Sequence, residues 1–281
     1  MFSNIYYDSF KNKIYLWEIV NGKVKQTVHD HVVEYYVDDP EMKSPIRDIY
    51  GNSVIKKEAS SRKALTELRK SKLKMYESDL PEEVKFLHKH YGDTNFKPNT
   101  SDYKVANIDI EIQSGGEFPK PEEAKYPVNL ITIDFYKTDT IYTLGLEPYN
   151  GQFKDRDKFT YIHCKTEEDL LVRFCDIIRK ERTQIITGWS IVDFDIRYIC
   201  NRIVNLGIED DACMSPVGRH IKKRKGTYSI PGISCLCLME LYKKFSYQNQ
   251  SSYSLNYIGL QEVGEGKLDF EGQINDQWAI S

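Results

Sequence analysis

The chain has 281 residues, of which 40% are hydrophobic and 29% are charged, a composition typical of a globular protein. No segment has the length of a membrane span or the apolar core of a signal peptide, and the six cysteines include no C-x-x-C pair. The net charge of −3 gives no general attraction for a polyanion. We therefore expect a cytoplasmic protein with reduced thiols, and exclude secreted, membrane and disordered classes.

The first 103 residues predict a small α+β domain. Aromatic and β-branched residues predict strands at 14–19 and 32–37. Ser60 and Ser61 precede a predicted basic helix, whose apolar positions keep roughly helical spacing and are Ala64, Leu65, Leu68, Leu73 and Met75.

Two clusters of positive charge lie in the chain. Segment 55–75 carries eight Lys and Arg against two Glu, and segment 219–225 carries five fixed cations. Such runs are most often solvated surfaces, and they also suit a polyanion partner. The polar stretch 92–102 predicts a domain junction.

Residues 104–281 predict an α/β domain with a mixed sheet. The most distinct helix follows Thr166, with acidic residues in its first turn and basic residues at its end. The other predicted elements are strands at 104–112, 128–135, 140–146, 159–163 and 184–187, a helix at 193–206 that Gly207 stops, and a strand and helix within 233–245.

Acidic residues alternate with isoleucines in the first of these strands. Asp109 and Glu111 therefore share one face, with Cα atoms about 6.6 Å apart. That separation lets two carboxylates converge on a pair of divalent cations, for which Mg²⁺ or Mn²⁺ suits hard oxygen ligands. The alternative is an ordinary half-buried strand whose polar face meets water.

A second motif, Gly188-Trp-Ser-Ile-Val-Asp-Phe-Asp195, follows the strand at 184–187. Asp195 is expected at the start of the next helix, at the sheet edge where ligands bind in open α/β sheets. Asp193 and Asp195 also suit a simpler role as partners of the helix dipole.

Together, Asp109-Ile-Glu111 and Gly188-Trp-Ser-x-x-x-Phe194-Asp195 resemble the first two motifs of the 3′–5′ proofreading exonuclease in family B DNA polymerases. The similarity is greatest to the replicative polymerases of T-even-type bacteriophages. Further segments resemble the family in the same order, namely 117–119, 241–246 and 252–258. The resemblance implies an N-terminal domain, 1–103, and a ribonuclease-H-like exonuclease domain, 104–281, incomplete at its C-terminus.

The resemblance also implies the roles of individual residues. Asp109, Glu111 and Asp195 would be catalytic ligands of two Mg²⁺ or Mn²⁺ ions that hydrolyse the 3′-terminal phosphodiester of DNA. Residues that would contact single-stranded or primer–template DNA are Phe118, as a wedge against frayed bases, and Trp189, Ser190 and Phe194. For Phe118 and Trp189 the alternative is core packing.

The sequence departs from the family pattern in several places. The third exonuclease motif, Tyr-x-x-x-Asp, does not occur between Asp195 and Ser281. We therefore expect a fragment of a polymerase, completed by a second chain with the missing motif and the polymerase domains, in the bacterial host cytoplasm if phage-encoded. Ser190 replaces an asparagine, Cys237 replaces an acidic residue, and the basic segment 217–230 is shorter than the hairpin of relatives.

Two other functions remain open from the sequence. One is a non-catalytic module that binds single-stranded nucleic acid or regulates, with RNA as a partner of the N-terminal domain. The other is a free-standing nuclease, which needs a complete ligand set. The pairs His29/His31 and His88/His90 lack the accompanying Cys or His of a zinc site.

Overall fold

A computed structural model describes residues 1–71, 73–92, 94, 95, 97, 99, 102–138, 140–149 and 158–266. The chain divides into two units, Met1–Asp102 and Tyr103–Ser281. Each unit has its own hydrophobic core. No described helix is long and apolar enough to cross a membrane. All six cysteines are unpaired, and most of them are buried.

The first unit contains two antiparallel sheets of three strands each, ordered β1-β2-β3 and β5-β4-β6. Both predicted strands are confirmed, as β2 and β4. The elements are β1 (Phe2–Asp8), β2 (Lys13–Val20), β3 (Lys23–Asp30), β4 (Val33–Asp38), β5 (Val54–Ala59), α1 (Arg62–Leu68), β6 (Met75–Tyr76) and α2 (Glu82–Tyr91).

The predicted basic helix is shorter than its apolar spacing indicated. Ser61 caps it as expected, its side chain accepting a hydrogen bond from the Ala64 N–H, but the helix ends at Leu68. The next residues, Arg69, Lys70 and Ser71, are polar and exposed, so a further helical turn would bury no apolar side chain. Leu73 is exposed, and Met75 instead pairs with Val37 in β6.

The second unit is built on a mixed six-stranded sheet, which confirms the predicted α/β class. Its strand order is β10-β9-β8-β7-β11-β14. The elements are β7 (Val105–Ile112), β8 (Val128–Phe135), β9 (Thr140–Gly145), β10 (Lys158–His163), α3 (Glu167–Lys180), β11 (Ile185–Gly188), α4 (Asp195–Leu206), β12 (Ile221–Lys222), β13 (Tyr228–Ser229), β14 (Ser234–Cys237), α5 (Leu238–Phe245) and α6 (Leu255–Glu262).

Strand β7 lies inside this sheet, between an antiparallel neighbour and a parallel one. It pairs with β8 in antiparallel register and with β11 in parallel register. Ile108 and Ile110 are buried in the core, so the polar residues that alternate with them lie on the other face of the strand. The sheet thus places the acidic strand beside the strand that leads to the second motif.

Two helices, α3 and α4, pack on the sheet, and all of their ends but one lie where the sequence predicts them. Thr166 caps α3 by accepting from the Asp169 N–H, and Leu170, Leu171 and Phe174 are fully buried. Helix α4 begins at Asp195, two residues later than predicted. Gly207 ends it with a φ of 69°, in the left-handed conformation that glycine adopts without strain.

The structure adds elements that the sequence reading passed over. In the first unit these are β1, β3, β5, β6 and α2, and in the second unit α6 follows a serine cap. The basic segment 217–230 forms a short hairpin, β12–β13, whose tip at Lys222–Lys225 is exposed. This hairpin connects α4 to the last strand of the sheet.

Candidate active site

The two carboxylates of β7 lie on the same face of the strand, as their spacing predicts. Asp109 is exposed and Glu111 is half-buried, whereas Ile108 and Ile110 are buried on the opposite face. In the antiparallel register Asp109 lies opposite Thr132 of β8. The strand therefore presents two acidic side chains on a polar part of the sheet.

Asp195 joins this pair from the start of α4. Its side chain is buried, with 8% of the residue exposed. Burial, followed by the negative charge of Asp109, raises the pKa of Asp195 to about 7, and Glu111 raises it further, whereas hydrogen bonds from the backbone N–H groups of Asp195 and Ile110 lower it. The Ile110 N–H donates to the Asp195 carboxylate, which places this carboxylate beside the middle of β7.

This arrangement has the chemistry of a divalent cation site. Three carboxylates supply hard oxygen ligands, and the pKa of Asp195 is raised first by burial and then by the negative charges of Asp109 and Glu111, which a cation would offset. Among the described residues, no three His, Cys, Asp or Glu side chains already lie at distances that would hold a metal ion. Oxygen donors of this kind are those that Mg²⁺ and Mn²⁺ prefer.

Gly188 allows β11 to approach β7 next to these carboxylates. A Cβ atom at this position would lie 2.9 Å from the Ile108 carbonyl oxygen and 3.2 Å from the Ile191 side chain. Both obstacles are fixed, because one is backbone of the sheet and the other belongs to a buried side chain. A glycine is therefore needed here for packing.

We expect Gly188→Ala to lower the free energy of unfolding by about 2 kcal/mol, because the added methyl overpacks a junction that cannot yield. Chemical denaturation measures the change. In Gly145→Ala the methyl would meet the end of the Tyr161 side chain, which can rotate away, so a smaller loss is expected. Equal losses for the two variants would contradict the packing argument.

Two aromatic side chains lie beside Asp195. Phe118 is 79% exposed, although it is a large apolar residue. Its ring centroid is 5.8 Å from that of Phe194, the residue immediately before Asp195. The core-packing alternative is therefore wrong for Phe118, which presents an open aromatic face close to the acidic cluster.

Trp189 is half-buried and makes structural contacts. Its indole N–H donates to the Tyr253 carbonyl at 2.9 Å, and its ring lies 6.2 Å from that of Tyr242. The Cys237 thiol donates to the Trp189 carbonyl at 3.1 Å. The adjacent Ser190 carbonyl accepts from the N–H groups of Asp193 and Phe194, which forms the turn into α4. These contacts position the loop that delivers Asp195.

Sequence reasoning missed the polar stripe of α4. Tyr198, Asn201, Arg202 and Asn205 all hydrogen-bond the backbone between β7 and β8. Their spacing of three, four and seven residues in a helix already predicted was a usable signal. The sequence did not show that this stripe contacts the backbone between β7 and β8.

The chain matches the family model for DNA polymerase family B, exonuclease domain, over residues 60–258. It is 35% identical to the DNA-directed DNA polymerase of Escherichia phage RB69 over 202 residues, which cover 61% of this chain and 22% of that protein. The DNA-directed DNA polymerase of Enterobacteria phage T4 is 33% identical over the same shares.

A more distant relative is the DNA polymerase delta catalytic subunit of Dictyostelium discoideum, 27% identical over 61% of this chain and 17% of that protein. The chain therefore spans about a fifth of the length of these curated relatives. The matched region contains Asp109, Glu111 and Asp195, together with the aromatic residues beside them. The family model covers well over half of the chain, and the protein belongs to family B of the DNA polymerases through their exonuclease domain.

Proposed function

We propose that this chain carries the 3′–5′ proofreading exonuclease of a DNA polymerase, with Asp109, Glu111 and Asp195 as ligands of two Mg²⁺ or Mn²⁺ ions. The observation that carries the proposal is the electrostatic coupling of the buried Asp195 to both strand carboxylates in a chain of this family. When bound, the ions supply a nucleophilic hydroxide and stabilise the leaving 3′ oxygen.

The protein residues prepare the site for that chemistry. Asp109 is exposed and accessible to substrate, whereas Asp195 is buried and held by a backbone N–H. Because the pKa of Asp195 is about 7, ligation at neutral pH displaces a proton from a fraction of the molecules. Metal affinity should therefore rise with pH up to about 8.

The substrate in this proposal is the unpaired 3′ end of single-stranded or primer–template DNA. Phe118 and Phe194 present an aromatic face on which any base can stack, as sequence-independent hydrolysis requires. Trp189 and Ser190 shape the wall of the site through the loop before α4. We propose that an additional carboxylate, corresponding to the Tyr-x-x-x-Asp motif, comes from outside residues 1–281.

The test measures metal binding and DNA cleavage on the same preparations. Mn²⁺ binding to the chain is followed by calorimetry, and cleavage of a 5′-labelled single strand is followed with Mg²⁺ or Mn²⁺. Glu111→Gln keeps the shape of the side chain and removes its charge, so we expect weaker Mn²⁺ binding and at least about a 10²-fold loss of cleavage.

Asp193→Asn is the matched control, because Asp193 is exposed and precedes α4. It should leave both measurements unchanged. Cleavage that persists in EDTA, or that Glu111→Gln leaves intact, would refute the proposed site. Metal binding without cleavage by residues 1–281 would support the need for the additional carboxylate.

The structure gives less support to the alternative of a non-catalytic nucleic-acid module. Four cations of the basic segment 55–75 are paired with carboxylates, which leaves a smaller free charge for RNA; the pairs are Lys56–Glu34, Arg62–Glu82, Lys70–Glu67 and Lys74–Asp38. RNA binding that survives Glu111→Gln would favour this alternative.

A further inference from the structure

The segment between β7 and β8, residues 113–127, carries Phe118 but has no regular structure of its own. It contains three prolines, which have no N–H for a hydrogen-bond ladder. Several of its backbone carbonyls are partly buried and take their donors from side chains. Helix α4 supplies these donors from its polar stripe, so the position of the segment depends on side chains of α4.

Each residue of the polar stripe contacts the backbone of this segment. The Tyr198 hydroxyl accepts from the Tyr126 N–H at 3.0 Å and donates to the Tyr126 carbonyl at 2.7 Å. The remaining donors are the Asn201 amide to the Pro121 carbonyl at 2.8 Å, the Arg202 guanidinium to the Lys125 carbonyl at 3.1 Å, and the Asn205 amide to the Glu123 carbonyl at 2.8 Å.

Asn201 has a second role that the other three residues lack. Its side-chain oxygen accepts from the Lys222 ammonium at 3.0 Å and from the Tyr228 hydroxyl at 2.9 Å, which lie on the two strands of the hairpin β12–β13. The residue is 5% exposed. The amide nitrogen of Asn201 therefore binds the segment 113–127, and its amide oxygen binds the hairpin.

The same helix holds the acidic cluster. Asp195 is six residues before Asn201, a rise of about 9 Å along the helix axis. The turn of the hairpin lies along this first part of α4, because a Cβ on Gly226 would be 3.0 Å from the Arg197 guanidinium. Displacement of either element would change the approach to Asp195 without altering the carboxylates.

We propose that Asn201 is a positioning residue that fixes Phe118 and the hairpin β12–β13 relative to Asp195, and that it thereby sets the rate of cleavage at frayed duplex ends relative to single strands. This inference rests on the proposed exonuclease function. A duplex end must be unpaired before its last bond is cleaved, at a cost of unstacking, whereas a single strand needs no such step. A loosely held Phe118 therefore impairs the first substrate selectively.

Asn201→Asp separates the two roles of this residue. The carboxylate has nearly the same shape and still accepts from Lys222 and Tyr228, but it cannot donate to the Pro121 carbonyl. The Lys222 ammonium compensates its charge. Tyr228→Phe removes one donor from the hairpin side only, and the control Val204→Ala changes an exposed position of α4.

Hydrogen exchange of the 281-residue chain without DNA or metal gives the first readout. In Asn201→Asp we expect about tenfold faster exchange within 113–127, with the rest of α4 unchanged. Tyr228→Phe should instead speed exchange within 219–230, and Val204→Ala should change neither segment. Unchanged exchange in 113–127, or an equal increase throughout the unit, would overturn the proposal. Should Asn201→Asp not fold, Asn205→Ala loosens the same segment from an exposed position.

Cleavage gives the second readout, with a mismatched duplex end and a single strand of the same sequence. Asn201→Asp should lower the rate on the duplex about tenfold and leave the rate on the single strand within about twofold of the unsubstituted chain. Equal loss on both substrates would contradict a positioning role. If the unsubstituted chain cleaves neither substrate, the exchange data alone decide whether Asn201 holds the segment, and Mn²⁺ binding that Glu111→Gln leaves unchanged is the result that refutes the exonuclease site.

Discussion

Asp195→Asn is expected to abolish hydrolysis and at the same time to stabilise the metal-free protein above pH 7. The loss of cleavage should be about 10³-fold, because the buried ligand loses its charge. The gain in stability follows from the pKa of Asp195, which burial and the charge of Asp109 raise from 3.8 to about 7. Functional clusters of charged groups often lower the free energy of unfolding when their cation is absent.

The direction of the pH effect follows from the two protonation states. Below about pH 4 the carboxyl group is protonated in both folded and unfolded chains, so it carries no penalty. Between pH 4 and pH 7 the unfolded chain releases the proton and the folded chain keeps it, so stability falls as pH rises. Above pH 7 the full penalty is present, on the order of 4 kcal/mol.

Denaturant titrations of the metal-free proteins at pH 4, 6 and 8 measure this difference. The free energy of unfolding of Asp195→Asn should match that of the unsubstituted chain at pH 4 and exceed it by about 2–4 kcal/mol at pH 8. Asp193→Asn, at an exposed position, should show no such divergence. Parallel pH profiles for Asp195→Asn and the unsubstituted chain would refute the coupling. Saturating Mn²⁺ should stabilise the unsubstituted chain and Asp193→Asn, but not Asp195→Asn.

Arg202→Met is expected to destabilise the second unit by about 3 kcal/mol. The guanidinium binds Glu167 in a two-bond pair, with N–O distances of 2.8 and 2.7 Å, and only 15% of the Arg202 side chain and 8% of the Glu167 side chain are exposed. Removal of one partner leaves a buried, uncompensated charge. The Val128 N–H donates to the same carboxylate at 2.7 Å, but this neutral donor would not compensate the charge.

The comparison is Arg173→Met, which breaks an exposed ion pair with Asp169 on α3. Exposed pairs contribute little, so a loss of no more than about 0.5 kcal/mol is expected. The double variant Glu167→Gln, Arg202→Met should recover part of the loss, because no buried charge remains. Denaturant unfolding at pH 7 measures these variants together with Glu167→Gln alone, and additive losses in the double variant would contradict a coupled pair.

Local sequence signals predicted much of the second unit because they depend on near neighbours. The alternation in 105–112 placed two carboxylates on one face of β7, Thr166 marked the start of α3, and Gly207 marked the end of α4. The same reasoning extended α1 too far, to Met75. That residue pairs with Val37, a partner that helical spacing cannot reveal.

The histidines of the first unit show the same limit. His29 and His90 lie far apart in the chain, yet their ring centroids are 5.6 Å apart. Together with His31, Phe86 and Lys89 they line a cavity of about 300 Å³. In the sequence the two pairs, His29/His31 and His88/His90, are far apart. The packing of α2 against the first sheet brings His29, His31 and His90 together.

The sequence by itself determined the acidic residues, their periodicity, the ends of the main helices and the family to which the exonuclease domain belongs. Tertiary structure decided which distant groups meet. It buries Asp195 beside Ile110, and it lets Asn201 hydrogen-bond both the segment 113–127 and the hairpin β12–β13. The physical reason is that periodicity and capping act within a few residues, whereas burial and charge coupling depend on groups that only the folded chain brings together.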